Sequence, residues 1–184
     1  MYTADDIMLA REVRIKYQED LVKQYKIPLL VIRVNYPGIN KNNYYSHEIT
    51  MIMDKIICEL FSYSIIFKKI ITTAEGLIVI MCINNEARAI KLITLNLEDN
   101  HILGRCVDLD VYDEKGKSIS RRDFGLEMRK CYICDDIAHI CVRSKKHSIE
   151  EVEEFIKRRF LEYTKKIVGV IWLLKLFFYV LLGF

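Results

Sequence analysis

The sequence predicts an α+β fold in which helices pack on a βαββαβ-type sheet, antiparallel or mixed. Apolar residues at helical spacing alternate with short β-branched runs, and these segments follow the order strand, helix, strand, strand, helix, strand. The 184 residues suit one domain with one core, and only 7 glycines and 2 prolines leave little room for a disordered linker.

The N-terminal elements have recognisable ends. Residues 3–25 are predicted to be helical, because Thr3 can cap the helix and acidic residues occupy its first turn. Residues 29–34 form a β-branched apolar run that is typical of a buried strand, and a Pro-Gly turn follows it. Ser46 is predicted to cap the second helix.

The rest of the sheet comes from the middle of the chain. We expect an antiparallel strand pair, a helix capped by Asn84 or Asn85, and a last strand with a short return arm; the strands span residues 64–73, 77–83 and 106–112. The helices are expected on one face of the sheet. A nucleotidyltransferase-type α/β sheet is a close alternative, because the order of elements alone does not separate the two. Ser148 and Glu151 form a capping box for the last helix.

The composition excludes some classes of function. A net charge of +3 is too small to indicate bulk nucleic-acid binding, so no nucleic-acid partner is expected. The N-terminus shows no signal-peptide pattern, because two aspartates follow Thr3 closely. The six cysteines are therefore predicted to be reduced thiols in a cytoplasmic protein.

The end of the chain differs in composition from the rest. Residues 167–184 carry one charge, Lys175, so we predict a domain over residues 1–166 followed by a hydrophobic C-terminal helix. Such a helix would span about 27 Å, slightly less than the hydrocarbon core of a bilayer. A C-terminal membrane tether, a helix packed on the core or on a partner, and a truncated longer chain are the three alternatives.

Two aspartates on the last strand are the strongest candidates for catalysis. Side chains alternate between the faces of a strand, so Asp108 and Asp110 share a face with Cys106, and their Cα atoms should lie roughly 6.6 Å apart. Two carboxylates that close repel each other unless a cation lies between them or one is protonated. Hard oxygen ligands in small number suit Mg²⁺, which shares phosphate oxygens with its substrate. A solvated face of an edge strand is the alternative.

A basic segment follows the aspartates. Arg121, Arg122 and Arg129 are candidate phosphate ligands, because a guanidinium group can bind two phosphate oxygens at once. Ser120 and Asp123 fit a capping box that could open a helix whose free N–H groups bind phosphate.

Lys41 follows the Pro37-Gly38 turn in a polar loop. It is a candidate phosphate contact on the far side of a cleft, and an ordinary surface lysine is an equally good interpretation.

Three cysteines and a histidine suggest a second metal site. Cys131, Cys134 and Cys141, with His147 nearby, could supply the four ligands of a tetrahedral Zn²⁺ ion. The second cysteine pair of a zinc ribbon is missing, so a half-buried, metal-free turn is the alternative.

Taken together, these motifs resemble the citrate lyase holo-acyl-carrier-protein synthase family, also called apo-citrate lyase phosphoribosyl-dephospho-CoA transferases. The similarity covers about residues 8–160, and the tail lies outside it. The matching pieces are Ala10-Arg11-Glu12-x-Arg14 with Gln18, Pro37-Gly38 with Lys41, Gly104-Arg105-x-x-Asp108-x-Asp110-Val111, Gly116, Ser120-Arg121, Gly125, Arg129-x-Cys131-x-x-Cys134, Ala138-x-x-Cys141-x-Arg143 and His147-Ser148.

The resemblance implies a transferase that attaches a prosthetic group. The donor would be 2'-(5''-triphosphoribosyl)-3'-dephospho-CoA, the acceptor a serine of the acyl carrier (gamma) subunit of citrate lyase, and the second product pyrophosphate. Asp108 and Asp110 would hold Mg²⁺, and one of them would accept the serine proton. Arg105, together with the two arginines that follow Ser120, would hold the triphosphate.

The remaining basic residues have less specific assignments. Arg129, Arg143 or His147 would bind the dephospho-CoA part of the donor or the carrier protein. Carrier proteins are usually acidic, so a basic rim would also steer their docking.

Two other functions compete with this one. The first is the related transferase that serves the malonate decarboxylase carrier, with the same chemistry and a different acceptor. The second is a non-catalytic zinc-binding interaction module, which would need neither aspartate and would release no pyrophosphate.

Overall fold

The computed structural model describes the backbone of residues 2–182 and the side chains of residues 2–169. This part of the chain contains five α-helices and five strands. The helices are α1 (Ala4–Tyr25), α2 (Tyr44–Leu60), α3 (Ala87–Asn100), α4 (Ala138–Ser144) and α5 (Ile149–Leu182). The strands are β1 (Leu29–Val34), β2 (Ile65–Thr73), β3 (Gly76–Ile83), β4 (Val107–Tyr112) and β5 (Ser118–Ile119).

The strands form one sheet in the order β2-β3-β1-β4-β5, and every neighbouring pair is antiparallel. The predicted β-α-β-β-α-β order is confirmed, and with β4 beside β1 it gives the split βαβ arrangement. The sheet is antiparallel throughout, the first of the two predicted arrangements, because each helical connection returns the chain to the sheet in the direction that opposes its neighbours.

Helices cover both faces of the sheet, and the prediction of a single covered face was wrong. On one face α2, α3 and α5 enclose the larger core, which includes Ile32, Met53, Ile90 and Ile156. On the other face, Leu21 of α1 packs against the smaller cluster that contains Val31 and Ile80 of the central strands. This second layer explains why β3 is buried along its whole length.

The start of α1 is as predicted, whereas α2 and α3 start a few residues from their predicted caps. Thr3 caps α1 through a capping box with Asp6, as predicted. Asn43, and not Ser46, caps α2, because Ser46 is the third helical residue and closes the box from inside. The start of α3 lies after Glu86; Asn85 only accepts the N–H of that glutamate.

The entry to β4 depends on a short 3₁₀ turn, Gly104–Cys106. Cys106 is fully buried there in the larger core, and not on the aspartate face, because the turn rotates it out of the strand's alternation. Its carbonyl accepts the backbone N–H of Asn35, which fixes the register of β4 against the end of β1.

The last helix begins at the predicted capping box: the Ser148 hydroxyl accepts the Glu151 N–H, and the Glu151 carboxylate accepts the Ser148 N–H. In the residues that the structure describes, no helix combines the length and apolarity needed to cross a bilayer. The predicted hydrophobic tail, residues 167–184, lies almost entirely outside the described side chains.

Replacing Gly104 with alanine tests the entry to β4. The added Cβ would lie against the carbonyl oxygens of Leu97 and Glu98, far inside van der Waals contact, so the backbone must shift. We expect Gly104→Ala to lower the free energy of unfolding by about 1–3 kcal/mol in urea titrations. Gly169→Ala, whose Cβ would meet nothing within 4 Å, is the control and should not destabilise the protein. Equal stability of the two variants would contradict this packing.

Candidate active site

Asp108 and Asp110 project from the same face of β4, as predicted. They alternate with Val107, Leu109 and Val111, which are buried in the larger core. The aspartate side chains are 30% and 32% exposed, on the α1 side of the sheet. Both carboxylates are therefore accessible to a ligand.

The nearest cation to this pair is Arg33 of β1, which lies directly opposite Asp108 in the strand register. Its Nη2 atom lies 2.6 Å from Oδ2 of Asp110 and 3.6 Å from Oδ2 of Asp108. Burial alone would lower the pKa of Arg33, but the charges of Asp110 and Asp108 outweigh it and raise that pKa. The two carboxylates thus converge on one positive charge.

The loop after β1 adds two polar groups beside the pair. Asn35 donates its side-chain N–H to Oδ1 of Asp108 over 2.7 Å. Lys41 donates to the Tyr36 carbonyl over 2.6 Å. Burial and, secondarily, the charge of Arg33 lower the pKa of Lys41, while Asp108 acts in the opposite direction. Lys41 therefore lies close to the charges of Arg33 and Asp108.

This loop packs on the β2–β3 turn. Asn42 donates to the Thr73 carbonyl. Gly76 has φ = +100°, and a Cβ there would come within 2.9 Å of the Lys41 carbonyl oxygen. Glycine at this position permits both the turn and the close approach of the loop.

A buried ion pair lies beyond Arg33. Arg14 of α1 binds Glu75 with two hydrogen bonds, 2.6 Å from Nε to Oε2 and 3.0 Å from Nη2 to Oε1. Their side chains are only 3% and 7% exposed. Arg33 Nη1 approaches Glu75 Oε1 to 3.8 Å, so acidic and basic groups alternate from α1 to β4.

Side chains complete the free edge of β4. Because β5 pairs only with the end of β4, the peptide groups nearer its start have no strand partner. Glu98 accepts the Leu109 N–H, and Lys91 donates to the Leu109 carbonyl, each over 2.9 Å. Arg129 donates to the Val107 carbonyl over 2.9 Å.

Glu98 also connects two of the predicted phosphate ligands to the aspartates. It forms an ion pair with Arg129, which lies 3.3 Å from Oδ1 of Asp108. Arg121 lies 3.8 Å from Glu98 and binds Asp99 over 2.7 Å. The structure thus brings these two arginines into one network with Asp108.

Two other predicted arginines, Arg122 and Arg143, lie outside this network. Arg122 is exposed and contacts the sulfur of Met128, and Arg143 is exposed on α4. The capping box of Ser120 with Asp123 is present, but it opens a four-residue 3₁₀ turn, Arg121–Phe124. In the described chain, the predicted phosphate-binding helix is therefore replaced by a single 3₁₀ turn that ends at Gly125.

The cysteine cluster assembles as the sequence analysis predicted. The ligand atoms of Cys131, Cys134, Cys141 and His147 all lie within 4.8 Å of one another, so the cluster could hold a metal ion. The Sγ atoms of Cys134 and Cys141 are 3.5 Å apart, and His147 Nε2 is 3.2 Å from Cys134 Sγ. Two ligands of a tetrahedral zinc ion with 2.3 Å bonds would be separated by roughly 3.8 Å, so the spacing fits.

Local structure explains how these ligands meet. A bridge between Lys130 and Ile137 folds the chain back on itself and presents Cys131 and Cys134. The fourth helix then presents Cys141, and Lys145 ends it in the left-handed conformation, so that the chain turns back to His147. The backbone N–H groups of Ile133 and Cys134 lower the pKa of Cys131 although burial opposes this, which favours a thiolate.

Arg105 joins this cluster to β4. Its guanidinium group donates to the carbonyls of Lys130 and Cys131 and lies over the Tyr132 ring, 5.8 Å from its centre. Arg105 therefore holds the start of the cysteine segment against the 3₁₀ turn before β4.

Sequence analysis missed several of the polar groups that organise this site. Arg33 stands inside an apolar run that predicted a buried strand, and Glu75 appeared to be an ordinary turn residue. Lys91 and Glu98 could have been found, because they occupy the buried face of α3, seven residues apart, together with Ile90. A charged residue at a position of the apolar face signals a buried ion pair.

Comparisons with known proteins agree with these observations. A family model described as "Apo-citrate lyase phosphoribosyl-dephospho-CoA transferase" matches residues 2–163. A Vibrio cholerae protein named "Probable apo-citrate lyase phosphoribosyl-dephospho-CoA transferase" is 32% identical over 168 residues, covering 87% of this chain and 92% of the relative. An Escherichia coli protein with that name, without "probable", is 30% identical and covers 80% and 82%. The chain also matches a third of "Protein CitXG" of Haemophilus influenzae at 33% identity.

Removal of the Glu75 charge tests the buried ion pair. Glu75→Gln would leave Arg14 buried without a charged partner, with only neutral amide oxygens to accept its hydrogen bonds, so we expect a loss of about 3–5 kcal/mol in the free energy of unfolding. Glu19→Gln is the matched control, because its side chain is 56% exposed and the ion pair with Lys16 spans 4.0 Å. It should cost no more than about 0.5 kcal/mol. Similar losses in both variants, measured by urea denaturation, would show that Arg14 and Glu75 do not stabilise the fold.

Proposed function

The chain belongs to the apo-citrate lyase phosphoribosyl-dephospho-CoA transferase family, and we propose that it modifies the acyl carrier (gamma) subunit of citrate lyase. The donor is 2'-(5''-triphosphoribosyl)-3'-dephospho-CoA. A serine oxygen of the carrier forms a bond to the phosphorus next to the ribose, the bond from that phosphorus to pyrophosphate breaks, and the serine proton passes to a base. This is a nucleotidyltransferase-type reaction, and residues 1–166 form the transferase domain.

The observation that carries the proposal is the convergence of the Oδ2 atoms of Asp108 and Asp110 on the guanidinium group of Arg33, on an accessible face. Two carboxylates arranged in this way provide oxygen ligands for Mg²⁺, with water and phosphate completing its coordination. Bound Mg²⁺ would neutralise charge that develops on the departing pyrophosphate. The approach of the Arg33 Nη2 atom to both carboxylates supports a site for positive charge beside the pair.

The residues of the chain bind and orient the reactants. Asp108 is held by Asn35 and Arg129, which fix the orientation of its carboxylate. One of the two aspartates accepts the serine proton as the new bond forms. Lys41, in the loop after β1, adds positive charge near Asp108.

The remaining basic residues serve the phosphates and the carrier. Arg105, Arg121 and Arg122 are proposed to hold the triphosphate. Arg129, Arg143 or His147 would then serve the dephospho-CoA part or an acidic carrier surface. An unused hydrogen-bond donor supports Arg121 most directly. Its Nη1 atom is buried and has no hydrogen-bond partner among the described residues.

The cysteine cluster is proposed to hold a structural Zn²⁺ ion. Three thiols and one imidazole form a closed ligand set of the kind that structural zinc sites use. All six cysteines are free, which agrees with a reducing, cytoplasmic location. The ion would close the segment that Arg105 holds against β4.

Intact-mass spectrometry of the carrier tests the proposed reaction. Apo carrier subunit of citrate lyase, incubated with this protein, Mg²⁺ and the donor, should gain the mass of the phosphoribosyl-dephospho-CoA group and release one pyrophosphate. EDTA should prevent the gain. The apo carrier of malonate decarboxylase is the competing acceptor, and its preferential modification would contradict the assignment to citrate lyase.

Neutralising either aspartate should abolish transfer without unfolding the protein. We expect Asp108→Asn and Asp110→Asn each to reduce the rate of carrier modification at least about 100-fold, because an amide binds Mg²⁺ poorly and cannot accept the proton. Asp20→Asn, at an exposed position of α1, is the control and should keep full activity. Full activity in both site variants, with unchanged circular dichroism, would rule out the aspartates as metal ligands.

Loss of one thiol should release the zinc. The purified protein should contain about one zinc per chain by plasma mass spectrometry, and Cys134→Ser should contain little, because three ligands hold zinc far more weakly. Cys58→Ser is the control, since Cys58 lies outside the cluster beside Lys68, and it should retain zinc. A metal-free wild-type protein, prepared without chelators and unable to take up added zinc, would refute the zinc site.

A further inference from the structure

The aspartate pair is already neutralised by the protein. Arg33 lies between Asp108 and Asp110, and the next acid along, Glu75, is paired with Arg14. A divalent cation that entered alone would therefore add two positive charges beside an arginine that the carboxylates already hold. Repulsion between the divalent cation and the Arg33 guanidinium group opposes binding of the free ion.

Arg33 is held less completely than the buried arginine beside it. Arg14 binds Glu75 through two hydrogen bonds and is 3% exposed. Arg33 makes one short bond, to Asp110, and its approaches to Asp108 and Glu75 are 3.6 and 3.8 Å. Its Nε atom is buried and has no hydrogen-bond partner among the described residues, while its side chain remains 25% exposed. A guanidinium group with five N–H donors thus keeps most of its capacity unused.

We propose that Arg33 is the counter-ion of Asp108 and Asp110 before the donor binds, and that the donor's triphosphate, arriving with its divalent cation, takes Arg33 from the carboxylates. This inference rests on the proposed function. A phosphate offers a guanidinium group two parallel hydrogen bonds, which the aspartates do not provide here. The move frees the Oδ2 atom of each carboxylate for the cation and gives Arg33 a stronger partner, while Asn35 and Arg129 still hold Oδ1 of Asp108.

Coupled binding of cation and phosphate follows. The free cation must compete with Arg33, whereas the cation–phosphate complex offers Arg33 a new partner. Each ligand therefore strengthens the binding of the other by the same factor. The protein would bind the metal with its substrate, and not keep it as a resident ion.

Equilibrium binding of Mn²⁺, observed by electron paramagnetic resonance, tests the displacement with no carrier present. The full chain is titrated with Mn²⁺ alone and with the preformed Mn²⁺–pyrophosphate complex. We expect Arg33→Gln to bind Mn²⁺ alone about 10-fold more tightly and the complex about 10-fold more weakly than wild type, within the range of ordinary coupling. Changes of opposite sign are the signature.

Lys68→Gln is the matched control. Lys68 is also a strand cation 2.6 Å from an aspartate, Asp54, but it lies on β2 away from the pair. It should change neither titration. Asp110→Asn should weaken both, because it removes a ligand of the cation.

Other results would overturn the inference. Tighter Mn²⁺ binding with unchanged binding of the complex would make Arg33 a fixed counter-ion that never contacts phosphate. Weaker binding of both would make it a support for the aspartates. If the carrier is modified by the wild-type protein and the opposite-signed changes do not occur, the displacement fails alone; if the carrier is never modified, the proposed function fails whatever Mn²⁺ does.

Discussion

Two carboxylates on one face of a strand determine the arrangement of charges at this end of the sheet. Asp108 and Asp110 are too close to remain uncompensated on a partly desolvated surface. The fold places Arg33 against them, Glu75 beyond Arg33, and Arg14 beyond Glu75. Because each charge lies beside an opposite one, β1, β4, the β2–β3 turn and α1 are held in one arrangement.

At the other edge of β4, charged side chains bind backbone groups that have no strand partner. A short β5 leaves the Leu109 peptide group without a strand partner, and Glu98 and Lys91 of α3 bind it instead. A buried carboxylate is costly unless it is paired, and Arg129 and Arg121 pair with this one. The carboxylate that completes the sheet edge therefore also orients two of the arginines proposed to bind phosphate.

Local signals in the sequence were sufficient for most elements, although not for α4, and insufficient for their arrangement. The apolar run of β1, the cap at Thr3 and the box at Ser148 depend on neighbouring residues, and each was predicted correctly. The placement of α1 on the opposite face was not predictable, because its buried polar residues, Arg14 among them, weaken its apolar pattern. Which face a helix covers is decided by tertiary packing and not by its own periodicity.

In the candidate site, too, local features were predictable from the sequence and long-range contacts were not. The shared face of Asp108 and Asp110 follows from strand alternation, and the cysteine set follows from ligand spacing. Arg33 and Glu75 were missed because their partners are distant in the sequence. Asp108, on another strand, is 75 positions from Arg33, and Arg14, on a helix, is 61 positions from Glu75. Long-range ion pairs leave no periodic trace in a sequence, so geometry alone reveals them.

The cysteine segment then has a physical role at the aspartates without touching them. Arg129 stands two residues before Cys131, and Arg105 binds the carbonyl of that cysteine from the turn that leads into β4. An ion held by the cluster would fix the backbone from which Arg129 reaches Asp108. Two arginines near the reaction would thus be positioned by a closed metal site, while Arg33 would hold the accessible carboxylates until a cation arrives with the substrate.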